Sequence, residues 1–137
     1  RWEYDKAPER FFGALQLLQQ HGVDFHLQVL GQRFRNSPAI FADSRPALEP
    51  HIQQWGTLDR DDDYRQALAQ ADVVVSTSPH EFQGLAILEA VAAGCLPLVP
   101  DRLAYRETIP EPYRYPSHPN DPGLESRLVG ERLAGLA

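Results

Sequence analysis

Asp72-Val73-Val74-Val75-Ser76-Thr77-Ser78-Pro79-His80-Glu81-Phe82-Gln83-Gly84-Leu85-Ala86-Ile87-Leu88-Glu89-Ala90 is the stretch that decides the fold. It opens with an unbroken apolar run, Asp72 to Ser76, which predicts a strand buried on both faces, the signature of a parallel sheet. The chain then turns at Gly84 into a helix reaching Ala93, with Gly94 at its C-terminal cap and Pro97 just beyond. Leu96 to Val99 reads as the next buried strand. A strand end, a glycine and a helix start form an anion cradle, because the first N–H groups of a helix have no partner within it. Glu81 and Glu89 flank that cradle. Carboxylates beside such a turn suit a ligand carrying both phosphate and hydroxyls, as a nucleotide sugar does.

The same alternation extends outward in both directions. Pro8 suits a helix start, and Phe11, Phe12, Leu15, Leu17 and Leu18 supply an apolar face up to Gly22. Phe25 to Leu30 reads as a strand ending at Gly31. Ser37-Pro38 opens a helix towards Leu48, and His51 to Trp55 forms a short strand followed by the turn Gly56-Thr57-Leu58. A helix from Asp59–Asp63 to about Gln70 leads back to Asp72. Beyond Val99 the prolines at 110, 112, 116, 119 and 122 predict a stiff surface crossing, and Leu124 to Ala137 is helical by pattern. Strands alternating with helices predict an α/β domain over residues 1–137, with a Rossmann-like, three-layer parallel sheet. Ligands of such sheets bind beyond the carboxyl ends of the strands, here Gly31, Gly56, Ser76-Thr77-Ser78 and Val99-Pro100-Asp101. Arg1 to Lys6 runs straight into a helix, so a first strand is expected to precede it in a longer protein.

Composition excludes several classes. At 137 residues with 42% hydrophobic and 23% charged residues, the chain can bury a substantial core. No apolar run approaches a membrane span, so no membrane partner is expected. The single cysteine, Cys95, excludes an internal disulfide and fits a reducing, cytoplasmic setting. It precedes a buried strand and reads as a small core residue. A net charge of −6 argues against this chain alone wrapping a polyanion.

Each chemical constellation has an ordinary alternative. Glu81 either contacts a ligand or biases a helix start; Glu89 either contacts a ligand, or is solvated or pairs with a lysine or arginine. Arg1 and Lys6 either hold a diphosphate as it leaves or are surface cations near a terminus. The acidic run Asp59 to Asp63 sits at a helix start, where capping and the helix dipole explain it better than a metal. The five histidines show no metal-ligand spacing, and no metal is expected. His80 is notable for standing beside Glu81. The hydroxyls of Ser76, Thr77 and Ser78 lack a nucleophile elbow and are expected to bond backbone or phosphate. Arg33 and Arg35 form a local basic spot.

Taken together, these residues resemble the C-terminal donor-binding half of retaining GT-B glycosyltransferases of family four. Glu81-Phe82-Gln83-Gly84 through Glu89 resembles that family's paired-glutamate element, and Arg1 with Lys6 is similar to its cation pair. The resemblance implies a metal-independent reaction in which nucleoside diphosphate departs through an oxocarbenium-like state. It implies that Glu81 holds the transferred sugar and Glu89 the ribose. Backbone at Gly84 and Leu85 would meet the diphosphate and sugar, and Arg1 and Lys6 would neutralise the leaving phosphate. Gly31, His80 and Phe82 join this donor set, and Trp55, Gly56 and Leu58 lie where such domains seat the base. Arg1 to Lys6, Val29-Leu30-Gly31, Trp55-Gly56 and His80 to Phe82 further resemble the family's queuosine-modifying mannosyltransferases. That implies GDP-mannose as donor and tRNA-Asp as acceptor, the tRNA held mainly by an N-terminal domain outside this chain. Two alternatives stand beside it: another donor, such as a UDP-sugar, on a glycan or lipid, and a non-catalytic ligand-binding module. One departure is visible at Arg102 to Glu107, where many relatives carry paired glycines before the glutamate.

Overall fold

A computed structural model describes residues 7–30, 39–56, 58, 60–78 and 84–136. The elements alternate as expected: α1 (Pro8–Gln20), β1 (Leu27–Leu30), α2 (Ala39–Leu48), β2 (Ile52–Gly56), α3 (Asp61–Gln70), β3 (Val73–Val75), α4 (Leu85–Ala92), β4 (Leu96–Pro100), α5 (Tyr105–Thr108), β5 (Arg114–Tyr115) and α6 (Pro122–Leu136). A 3-10 turn at Glu49–His51 leads into β2. Among the described residues every strand pairing is parallel. Among the described residues the strands form two ladders, β1-β2 and β3-β4-β5, instead of one continuous sheet.

The layers follow from side-chain alternation along β3 and β4. Leu98 joins Ala14 of α1, Tyr115 of β5 and Val129 of α6, with Val73 and Val75 packed against them. Val99 points the other way, into Ile87 of α4, Tyr105 and Ile109, with Val74 alongside. Helices therefore cover both faces of this sheet. Around β1, Leu27 and Val29 pack on Phe12, Leu15 and Leu18 of α1 and on Phe41 and Leu48 of α2. α1 thus contributes to both ladders. It lies tightly on α6, because a Cβ at Gly130 would sit only 3.1 Å from Leu17 Cδ1 and 3.3 Å from the Ala14 carbonyl.

Three expectations are corrected. Val73, Val74 and Val75 are half-buried, not fully buried, because a cleft of 1140 Å³ runs between β3 and β1 and is lined by both strands. The proline-rich crossing is no mere surface strap: it contains β5, whose Tyr115 is fully buried. Asp61, Asp62 and Asp63 do not fill the capping position of α3, which is Arg60 and lacks a side-chain bond; Asp59 lies outside the described residues. Asp61, Asp62 and Asp63 occupy the first turn, where they favour the helix dipole.

Candidate functional site

The carboxyl end of β3 is bound up by a dense set of polar contacts. Ser76 Oγ accepts from the Ser78 N–H (3.3 Å) and from the Tyr105 hydroxyl (3.0 Å), while the Tyr115 hydroxyl donates to the Ser76 carbonyl (2.9 Å). Thr77 Oγ1 donates to the Ala7 carbonyl at 3.0 Å. This last bond holds the start of α1, the residue next to Lys6, against the end of β3. Arg102, in the loop after β4, donates through Nε to the Ser78 carbonyl at 3.2 Å.

Arg102 is fixed in turn. Its guanidinium meets Glu125 at 2.5 and 3.1 Å and Ser117 Oγ at 3.0 Å. Glu125, fully buried in α6, also accepts from Arg10 of α1 (2.5 Å) and from the His118 N–H (2.7 Å). Burial pushes the Glu125 carboxyl up, but Arg102, the His118 N–H and Arg10 outweigh it and hold it below the ordinary glutamate range. Burial, then the nearby Glu125 charge, drives the Tyr115 hydroxyl well up, so it remains a donor. Two arginines around one carboxylate leave a net positive charge near the strand ends, a bias favourable to an anion.

Gly84 makes the turn into α4 in the left-handed region, with φ 66 and ψ 35. Two facts require glycine here: that φ, and the Tyr105 ring, whose Cε1 would stand 2.9 Å from an added Cβ. The first bond of α4 is made by the Leu88 N–H to the Gly84 carbonyl (3.1 Å). The N–H groups of Leu85, Ala86 and Ile87 therefore precede the helical ladder and point out of its N-terminal end. Leu85 is exposed, as is Glu89 one turn later on the same helix face. Glu89 in turn lies close enough to Tyr64 of α3 to help burial raise that hydroxyl's pKa.

The other ladder supplies a second strand end. β1 and β2 finish together at Leu30 and Gly56, and Gly56 has φ +114. Trp55 is half-buried, tilted against Phe12 with centroids 6.0 Å apart, and the Arg45 guanidinium lies 5.5 Å from its ring centroid. Its ring is thus largely engaged by the protein, while Gly56 and Leu58 are half-buried beyond it.

The structure brings Gly84, Leu85 and Glu89 onto one helix start beside Ser76 to Ser78, and puts Trp55, Gly56 and Leu58 at the end of β2. Arg1, Lys6, Gly31, Arg33, Arg35, His80, Glu81 and Phe82 lie outside the described residues. Thr77 bonds backbone, as expected of a strand-end hydroxyl. Cys95 is a buried core thiol near the Leu68 carbonyl (3.3 Å), its pKa raised by burial and then by Asp72. Sequence reasoning missed Arg10, Arg102, Tyr105, Tyr115 and Glu125. The departure at Arg102 to Glu107 was the one signal pointing to part of this group. Leu103 there adopts φ +51, the region that favours glycine, and through Tyr105 the loop closes directly on Gly84.

Residues 1–114 match the family described as Glycosyl transferases group 1. A tRNA-queuosine alpha-mannosyltransferase from Drosophila melanogaster is 36% identical over 115 residues, covering 84% of this chain. The chain spans only 30% of that relative's length. Among solved structures, the pneumococcal O-GlcNAc transferase GtfA, in complex with UDP and GlcNAc, superposes with a TM-score of 0.73 at 17% identity. That alignment covers 99% of this chain and 28% of GtfA, and it bears out the Rossmann-like GT-B half expected from the sequence. By the family match and the Drosophila relative together, the chain belongs to the group 1 glycosyl transferases.

Proposed function

We propose that this chain is the donor-binding half of a retaining glycosyltransferase that moves mannose from GDP-mannose to queuosine in tRNA-Asp. The observation that carries this reading is the Gly84 turn, which aims the start of α4 at the strand ends of β3 and β4. Its N–H groups suit a diphosphate. Glu81 would hold the sugar and Glu89, exposed on the same helix, the ribose. Arg1 and Lys6 would neutralise the departing phosphate without a metal, and the bond between Thr77 and Ala7 favours this by tethering the chain next to Lys6 at the strand end.

The acceptor belongs to a further domain of a longer protein, in keeping with the share of the Drosophila relative that the chain spans. A strand preceding Arg1 would fill the cleft that β1 and β3 line. Mannose transfer by the full-length protein from GDP-mannose to queuosine-containing tRNA, abolished by Glu81→Gln and by Lys6→Ala, is the expected result. A clear preference for UDP-sugars, or activity indifferent to both substitutions, would contradict the proposal.

A further inference from the structure

The buried network between α6 and the loop after β4 reaches the residues that flank one segment of chain on its two sides. Residues 79–83, with His80 and Glu81 among them, begin after Ser78 and end before Gly84. At the Ser78 side, Arg102 Nε donates to the Ser78 carbonyl and the Tyr105 hydroxyl to Ser76 Oγ. At the Gly84 side, the Tyr105 ring sits so close that a Cβ would come within 2.9 Å of it. Tyr105 therefore touches both flanks. We propose that Arg102 and Tyr105 are positioning residues that fix both flanks of residues 79–83 and so set the protein's preference for a nucleotide sugar over the bare nucleoside diphosphate. The inference rests on the functional reading above, in which Glu81 meets the sugar.

The arrangement is more than a packed interior requires. A buried ion pair is seldom more stabilising than apolar residues of the same volume, so stability alone does not account for it. What hydrogen bonds to a locked guanidinium supply is direction. Arg102 has both terminal nitrogens held by Glu125, and one of them also by Ser117, leaving Nε aimed at Ser78. Glu125 is itself held by the His118 N–H and by the positive charge of Arg10, which a lysine would also supply. Arg10 makes its other contact to the Pro119 carbonyl (2.8 Å) and, through its side chain, touches neither flank.

That difference provides the test. Titration calorimetry on the full-length protein measures Kd for GDP-mannose and for GDP in wild type, Arg102→Lys, Tyr105→Phe and Arg10→Lys. Arg102→Lys keeps the charge and removes the Nε donor; Tyr105→Phe keeps the ring against Gly84 and removes the hydroxyl. Each is expected to weaken GDP-mannose relative to GDP by about tenfold, the scale of one lost hydrogen bond. Arg10→Lys is expected to lower the melting temperature with the ratio unchanged. If Arg102→Lys fails to fold, Tyr105→Phe decides. Wild type that binds both ligands, with ratios unmoved by the Arg102 and Tyr105 substitutions or moved equally by Arg10→Lys, overturns this inference alone. Wild type that binds neither ligand overturns the functional reading and this inference with it.

Discussion

Around β1 and β2 the interior is apolar: Phe12, Leu15, Leu18, Leu27, Val29, Phe41 and Leu48 form one cluster. At the carboxyl ends of β3, β4 and β5, Ser76, Thr77, Ser78, Arg102 and Glu125 are buried together with the hydroxyls of Tyr105 and Tyr115. Hydrophobic contact is non-directional, so the first region needs only volume and pattern. The second fixes particular carbonyls and hydroxyls at set distances, and through Tyr105 it reaches the chain at Gly84. One region holds the fold; the other also dictates geometry where the ligand is proposed to sit.

The largest effect that could break this contrast is expected from Glu125→Ala. It strands Arg10 and Arg102 without their carboxylate, and breaking a buried pair in this way costs about 3–5 kcal/mol. Urea denaturation should register that loss, and a change under about 1 kcal/mol would mean the trio relaxes into water instead. In the apolar region, Leu18→Ala should cost about 2–4 kcal/mol by transfer and cavity terms. Nucleotide affinity of the folded fraction should be unchanged, and a substantial loss of affinity there would erase the contrast. Gly84→Ala should cost about 1–3 kcal/mol, because it combines a left-handed φ with the Tyr105 ring. Unlike Leu18→Ala, it should also weaken binding of the diphosphate.

The smallest expected effect is a slope with pH. The Glu125 carboxyl is held below its unfolded value of about 4.3. Its contribution is therefore fully present above that pH and is lost as pH falls through the lower, folded value. Urea midpoints of wild type should fall on acidification below about pH 4.3, and Glu125→Gln should lack that part of the slope. Equal slopes would show that Glu125 is not ionised within the network.

The contrast also explains what was legible in the sequence. Periodicity at Phe12, Leu15 and Leu18 and the run at Val73 to Val75 announce helix and strand directly, because apolar spacing reports the nearest face. Gly84 was legible as a turn for a similar reason: a strand end meeting a helix start demands a permissive backbone. Nothing local marks Glu125. Its partners Arg10 and Arg102 are 115 and 23 residues away, and a glutamate within a helical tail looks solvated until the fold brings those arginines to it. Tyr115 was hidden in the same way among prolines that read as surface. Leu103 was a partial signal, visible as a departure from paired glycines, but its left-handed φ is seen only in three dimensions. Trp55 shows the converse, since its position at a strand end was legible while its packing against Phe12 and Arg45 was not.

The central claim is that the start of α4 beside Ser76 to Ser78 receives the diphosphate of a nucleotide sugar. Amide hydrogen exchange of the full-length protein, with and without saturating GDP-mannose, tests it most directly. The N–H groups of Leu85, Ala86 and Ile87 should gain strong protection on binding, while those of Leu27 to Leu30 should not change. Saturable binding that leaves Leu85 to Ile87 exchanging at their free rate would contradict it.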